Sequence, residues 1–248
     1  MDYFITIYFN YFEFKRRYNL TKQFINRYPN VILIEISYGC DKFKFKGENV
    51  LHYREEHSGW VTNKYINKFC EDHKDANSIT FIDADIILPN YFFENVINRM
   101  NGEKRCIFIQ PYHILNREYS NEITRCKSVD NEKGHTGMIY TYSNKFINLI
   151  KFPECLVLGG FDTLLFQALL KEDRNFNGLC NIIDDSMRDE LIIFYKLVYN
   201  LCTYDYIDQT IFSYYDGKNK RYNERFLLYK NINQDVIDKY METRQEDD

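Results

Sequence analysis

Apolar residues in this chain fall into two rhythms, and the alternation between them sets the expected fold. Residues 3–9 (Tyr-Phe-Ile-Thr-Ile-Tyr-Phe) form a short aromatic and β-branched run, which reads as a buried strand. From 18 to 28 the apolar positions take helical spacing (Tyr18, Leu20, Phe24, Ile25, Tyr28), and Pro29-Asn30 then breaks the helix. Val31 to Ser37 is a second strand, ended by Tyr38-Gly39. Strand, helix and strand in that order predict a β-α-β unit and a parallel sheet. Helical spacing returns over 61–71, and Ser78 to Ile82 is a third strand running into Asp83-Ala84-Asp85. Pro89 suits the start of a helix through Tyr91 to Met100, and Cys106 to Gln110 is a further strand.

The second half is less regular. Residues 115–134 are polar and read as loop, Ile139 to Tyr142 as strand, and 144–150 as a short helix. Gly159-Gly160 precedes a helix from about Asp162 to Lys171, and 187–201 is another. The charged tail after Gln234 is expected to fray. No repeat or linker interrupts the pattern, so one α/β domain is expected.

Composition adds limits. With 248 residues, 45% hydrophobic and 27% charged, the chain can bury a sizeable core. The abundance of Tyr (22), Phe (20), Asn, Lys and Ile, all with AT-rich codons, points to a low-GC bacterial or viral genome. A net charge of −4 offers no global positive field for duplex nucleic acid, although Lys15-Arg16-Arg17 and Lys218-Asn219-Lys220-Arg221 are local basic clusters. Seven scattered cysteines without a C-x-x-C pair suggest reduced thiols rather than a zinc site or disulfide framework. The N-terminus lacks the basic region of a signal peptide, and no apolar run approaches the roughly 18 residues of a membrane span. A cytoplasmic location, in the host if the source is viral, is expected.

The sharpest chemical signal is Ile79-Thr80-Phe81-Ile82-Asp83-Ala84-Asp85-Ile86-Ile87. A strand apolar on both faces belongs inside a parallel sheet, and such sheets bind ligands at the carboxyl ends of their strands. Two carboxylates placed there repel each other unless a cation lies between them. Oxygen ligands together with substrate phosphates suit Mg²⁺ and Mn²⁺. The alternative is a solvated turn that contains Asp by chance.

At this point the sequence resembles the GT-A glycosyltransferases, in particular short bacterial and viral members that are family 2-like. Four blocks carry the resemblance across nearly the whole chain. The first is Tyr8-Phe9-Asn10 with Lys15-Arg16-Arg17, and the second is Val31 to Glu35 with Tyr38-Gly39. The third is Trp60, Lys64 and Asn67 ahead of Phe81-Ile82-Asp83-Ala84-Asp85. The fourth is His135-Thr136-Gly137, Leu158-Gly159-Gly160-Phe161-Asp162 and Tyr215-Asp216-Gly217 with Arg221, Tyr222 and Arg225.

The resemblance implies a GT-A domain over 1–233, with a nucleotide-binding half (1–110), an acceptor half and C-terminal lid (111–233), and a charged tail (234–248). It implies a nucleoside-diphosphate sugar donor, a UDP-sugar first, and a glycan or small-molecule acceptor bound by loops 40–58 and 112–134. Asn10, Tyr11 and Arg17 would contact the nucleoside. Glu35, placed at the end of the second strand, would accept hydrogen bonds from it, or be merely a charged strand-end residue. Lys64 would pair with a phosphate or with the Asp83 and Asp85 carboxylates, and Trp60 would stack on a ring or anchor the core. His135, Gly159 and Gly160 would line the acceptor pocket.

Asp162 would be either the general base of an inverting displacement or a helix cap. Asp83, Asp85 and Asp216 would bind Mn²⁺ or Mg²⁺, with Asp216 standing where relatives carry His before the same Gly. Lys220 and Arg221 would close over the diphosphate. Two rivals remain. A nucleotidyltransferase would be expected to show a Gly-rich basic signature near the first strand, and Asn10 to Arg17 holds no glycine. A non-catalytic sugar- or nucleotide-binding module is favoured only by Asp216.

Overall fold

The first β-α-β unit forms as its pattern predicts. In the computed structural model, β1 (Asp2–Phe9) leads through α1 (Lys15–Arg27) to β2 (Ile32–Tyr38), and the two strands pair in parallel from Ile5↔Ile32 to Phe9↔Ile36. The structure describes residues 1–10, 15–105, 107–116, 123–125, 139–171, 184–213, 228–229 and 232–243. β3 (Val50–Glu55) adds a parallel strand outside β2, and α2 (Thr62–Asp72) returns the chain to β4 (Ser78–Ile82), parallel to β1 on its other side. Then come β5 (Ile86–Ile87), α3 (Phe92–Met100), β6 (Ile107–Asn116), β7 (Ile123–Arg125), β8 (Ile139–Ser143), α4 (Asn144–Leu149) and α5 (Phe161–Leu170). α6 (Asp185–Leu201), β9 (Thr203–Ser213) and α7 (Gln234–Thr243) complete the described elements.

One sheet carries the whole fold, in the order β3-β2-β1-β4-β8-β6-β9-β5, with β7 on β6. The first four strands are parallel. β8 runs antiparallel to both β4 and β6, β6 and β9 are parallel, and β5 caps the edge antiparallel to β9. The fold class is the expected one, a single α/β domain with helices flanking a central sheet.

Both faces of the sheet are covered, which is why its inner strands read as continuous apolar runs rather than alternating ones. Ile5 and Phe9 of β1 join one large cluster with Tyr65, Ile66 and Phe69 of α2, Leu164 and Leu165 of α5, and Leu191 and Phe194 of α6. Phe4 points to the other face and packs with Phe24 of α1 and the α3 stripe Phe92, Val96 and Met100.

Three parts of the sequence reading change. The expected acceptor loop 40–58 contains β3, an edge strand whose half-buried Leu51, Tyr53 and Glu55 alternate with exposed His52 and Arg54. Edge strands tolerate such charge, so the strand hides in a polar sequence. Residues 115–134, expected as loop, include β7 and the end of β6, and β9 was not anticipated at all. The tail expected to fray instead forms α7, where Ile237 and Tyr240 enter the main core. Their helical spacing was masked by the charges around them. Among the described residues, no helix is long and apolar enough to cross a membrane.

Candidate functional site

The strand order reverses beside β1. From β1 the chain moves outward to β2 and β3, then comes back to β4 on the opposite side of β1. The crevice outside the carboxyl ends of β1 and β4 is therefore the topological switch point, where open α/β sheets bind ligands. Asn10 follows directly after β1, and Asp83 directly after β4. Asp83 starts a tight turn in which Ala84 and Asp85 double the chain back into β5. Both aspartates are half-buried, and Oδ1 of Asp85 is sealed from solvent. β4 itself is buried at every position and clamped between β1 and β8, so this carboxylate pair rides on rigid backbone.

The β1 side of the crevice is held by a small polar and aromatic set. Asn10 Nδ2 donates to the Tyr8 hydroxyl at 2.9 Å, and burial pushes the Tyr8 phenol up from its ordinary range despite that bond. Arg17, in the first turn of α1, donates to the Phe9 carbonyl at 2.9 Å and stacks its guanidinium 5.0 Å from the Phe9 ring. Its charge is thereby fixed at the carboxyl end of β1. Trp60 packs edge-on against the same Phe9 ring, with centroids 5.1 Å apart, and also borders the main core. Both meanings foreseen for Trp60, ring platform and core anchor, start from this placement.

Trp60 also leads to the glycine turn. Its backbone N–H donates to the Val157 carbonyl at 2.6 Å. Two residues on, Gly159 and Gly160 take φ values of 87° and 104°, a region that suits glycine and strains other residues. Gly160 is the N-cap of α5 and has no side chain to cap it. Asp162 lies in the first helical turn, half-buried, and does not occupy the capping position. The first strand, Trp60 and the turn that launches α5 are thus joined by direct contacts.

Two expected donor contacts are used elsewhere. Glu35 lies mid-strand in β2, in register with Tyr8 and His52, not at the strand end. It is 1% exposed, and its oxygens accept the backbone N–H of Lys44 at 2.5 Å and of Phe45 at 3.1 Å, with His52 Nε2 at 3.3 Å. A buried charge needs such partners, and here they tie down the loop that replaces a crossover helix between β2 and β3. Lys64 pairs with Glu55 at the end of β3, at 2.5 Å, and not with Asp83 or Asp85. The same carboxylate accepts from the Tyr65 hydroxyl at 2.7 Å, and burial, followed by this bond, drives the Tyr65 phenol upward.

Tyr11, His135, Asp216, Lys220 and Arg221 lie outside the described residues. Among the described residues, no third His, Cys, Asp or Glu gathers with Asp83 and Asp85 into a metal-sized cluster. A cavity of about 330 Å³ adjoins the carboxylate turn at Ala84 and Ile86, but α1 and the following Tyr28 form the rest of its wall, and neither Asp83 nor Asp85 lines it. Sequence reasoning missed Tyr229, whose hydroxyl bridges the glycine turn; it closes the short apolar run Phe226-Leu227-Leu228-Tyr229, and nothing in that run marks its hydroxyl for this bond.

No family model matches the chain, and no curated protein sequence matches it. Among solved structures, the chain is similar to a Bacillus anthracis protein assigned as a glucose-1-phosphate thymidylyltransferase and solved with sucrose. The identity is 13% and the TM-score 0.43, over 94% of this chain and 97% of that one. It is also similar to a glycosyltransferase involved in glycosylating the major capsid of PBCV-1, with 11% identity and a TM-score of 0.38 over 98% of each chain. With TM-scores below 0.5, neither likeness bears on activity.

Proposed function

We propose that this protein transfers a sugar from a nucleoside-diphosphate donor, a UDP-sugar first among them, to a hydroxyl of a glycan or small molecule. The observation that carries this reading is the placement of Asp83 and Asp85 at the carboxyl end of β4, across the β1/β4 switch point from Asn10 and Arg17. The donor set fits a divalent ion, because two carboxylates within one turn, one of them with a buried oxygen, supply hard oxygen ligands. Mn²⁺ or Mg²⁺ held there would neutralise charge on the departing diphosphate. Asp216 is proposed as a third ligand.

The chain's own groups would do the rest. Asn10, Tyr11 and Arg17 would orient the nucleoside end of the donor. Asp162 would take the proton of the acceptor hydroxyl as it attacks the sugar carbon, which makes the reaction inverting. Its position inside α5, with Gly160 as the cap, supports a role other than capping. Trp60, His135, Gly159 and Gly160 would shape the acceptor side, and Lys220 and Arg221 would cover the diphosphate and exclude water. Glu35 and Lys64 have structural roles in this account. The 1–233 span would form the catalytic unit, with α7 packed onto it.

The test is product analysis. The protein is incubated with UDP-, GDP- and dTDP-sugars and Mn²⁺, and release of nucleoside diphosphate is measured. Chelation and Asp83→Asn should each abolish it, and Asp162→Asn should lower turnover about 10²-fold or more while donor binding persists. Formation of sugar nucleotide and pyrophosphate from sugar phosphate and nucleoside triphosphate would instead identify a nucleotidyltransferase. Binding without turnover would identify a non-catalytic module.

A further inference from the structure

We infer that Tyr229 is a positioning residue for the glycine turn that opens α5, and through that turn for Asp162. The significance for catalysis rests on Asp162 being the base, as proposed above; the structural role does not. Two successive residues with positive φ take the backbone out of any regular hydrogen-bond pattern, so their neighbours need other partners. Leu158 is fully buried and its N–H faces the interior, away from water. The Tyr229 hydroxyl accepts that N–H at 2.8 Å and donates its own proton to the Gly159 carbonyl at 3.0 Å. One hydroxyl therefore satisfies a donor and an acceptor on adjacent residues, and it ties the 157–158 peptide group to the 159–160 peptide group across the turn.

Tyr229 is itself fully buried in the main core, so its ring cannot swing away to release the turn. Around this bridge, among the described residues, the backbone bonds are Gly159 N–H to the Leu156 carbonyl at 3.0 Å, Leu164 N–H to the Gly160 carbonyl at 3.2 Å, and Trp60 N–H to the Val157 carbonyl at 2.6 Å. Only Tyr229 ties the turn to a distant part of the chain by its side chain among these bonds. Asp162 sits two residues beyond Gly160, so a rotation at Gly159 or Gly160 redirects its carboxylate. The late segment of the chain thus sets the geometry of a group read as catalytic, while the donor end at β1 and β4 is left alone.

The test combines backbone amide exchange by NMR with kinetics on the full-length protein. In the wild type, the Leu158 amide should exchange as slowly as amides of β4. Tyr229→Phe keeps the ring but removes the bridge. Exchange at Leu158 and in the first turn of α5 should then rise about tenfold or more, with β1 to β4 unchanged. With whichever UDP-, GDP- or dTDP-sugar the wild type turns over, kcat should fall about tenfold with donor KM unchanged, and the same substitution should add no further loss in an Asp162→Asn background.

Rapid exchange of Leu158 in the wild type, or unaltered exchange in Tyr229→Phe, would overturn the positioning role. Equal losses in both backgrounds would overturn the link to Asp162. If Tyr229→Phe does not fold, the wild-type Leu158 amide still decides. If no sugar nucleotide is turned over, the transferase reading fails, and the exchange results judge Tyr229 independently.

Discussion

Two carboxylates show how residue context separates structural from chemical work. Glu35 is buried and fully occupied by loop amides and His52, so it organises the segment between β2 and β3. Replacing it with Gln points an amide donor at groups that already donate, and should destabilise the fold by about 1–3 kcal/mol in urea titrations. Metal-dependent nucleotide binding should survive in the folded fraction. Glu103, in the turn between α3 and β6, is held at about 2, first by the Arg105 side chain and further by Arg99. The folded state thus binds a proton less readily than the unfolded chain, where the value is near 4.3. Its stabilisation is fully present above the unfolded value and is lost as pH falls from about 4.3 towards about 2. Glu103→Gln should flatten the stability–pH curve in that window and lower stability by a constant amount at higher pH, neutrality included.

At the scale of elements, legibility followed burial. β1, β2, β4 and α3 were readable because apolar residues at strand or helix spacing meet a covered sheet face. β3 and α7 were not, since one is a polar edge strand and the other, among the described residues, presents Ile237 and Tyr240 to the core amid charged neighbours. The carboxylate turn was legible because a buried strand ending in two aspartates is costly without a purpose. The contacts of Glu35 and Lys64 were not legible because their partners, the Lys44–Phe45 amides and Glu55, are brought to them only by the folded loop and β3.

α7 is more than packing. Gln234 donates to Asp238 Oδ1 at 2.8 Å and to Ser58 Oγ at 3.2 Å, and Ser58 Oγ itself bonds Asp238, so the helix clasps the loop before Trp60. Ile237→Ala should cost about 2–5 kcal/mol in chemical denaturation. Asp238→Ala should cost less, since it breaks the clasp but leaves the apolar contacts, with increased proteolysis near Ser58 as the readout.

At the scale of the molecule, a single sheet brings together parts from both ends of the chain. β1 and β4 present the proposed donor groups at a switch point, and the contacts Phe9–Trp60–Val157 carry that edge to the glycine turn and α5. This division lets donor binding and acceptor activation be tested apart. The most direct measurement of the central claim is thermal unfolding of the wild type and Asp85→Ala with UDP, GDP and dTDP, each with and without Mn²⁺. At a ligand concentration of 100 Kd, binding adds about 2.7 kcal/mol, which for a chain of this size raises Tm by roughly 5–10 °C. The account predicts such a rise for one nucleotide, only with Mn²⁺, and its loss in Asp85→Ala. A rise that is indifferent to Mn²⁺ and to Asp85, or no rise with any nucleotide, would contradict it.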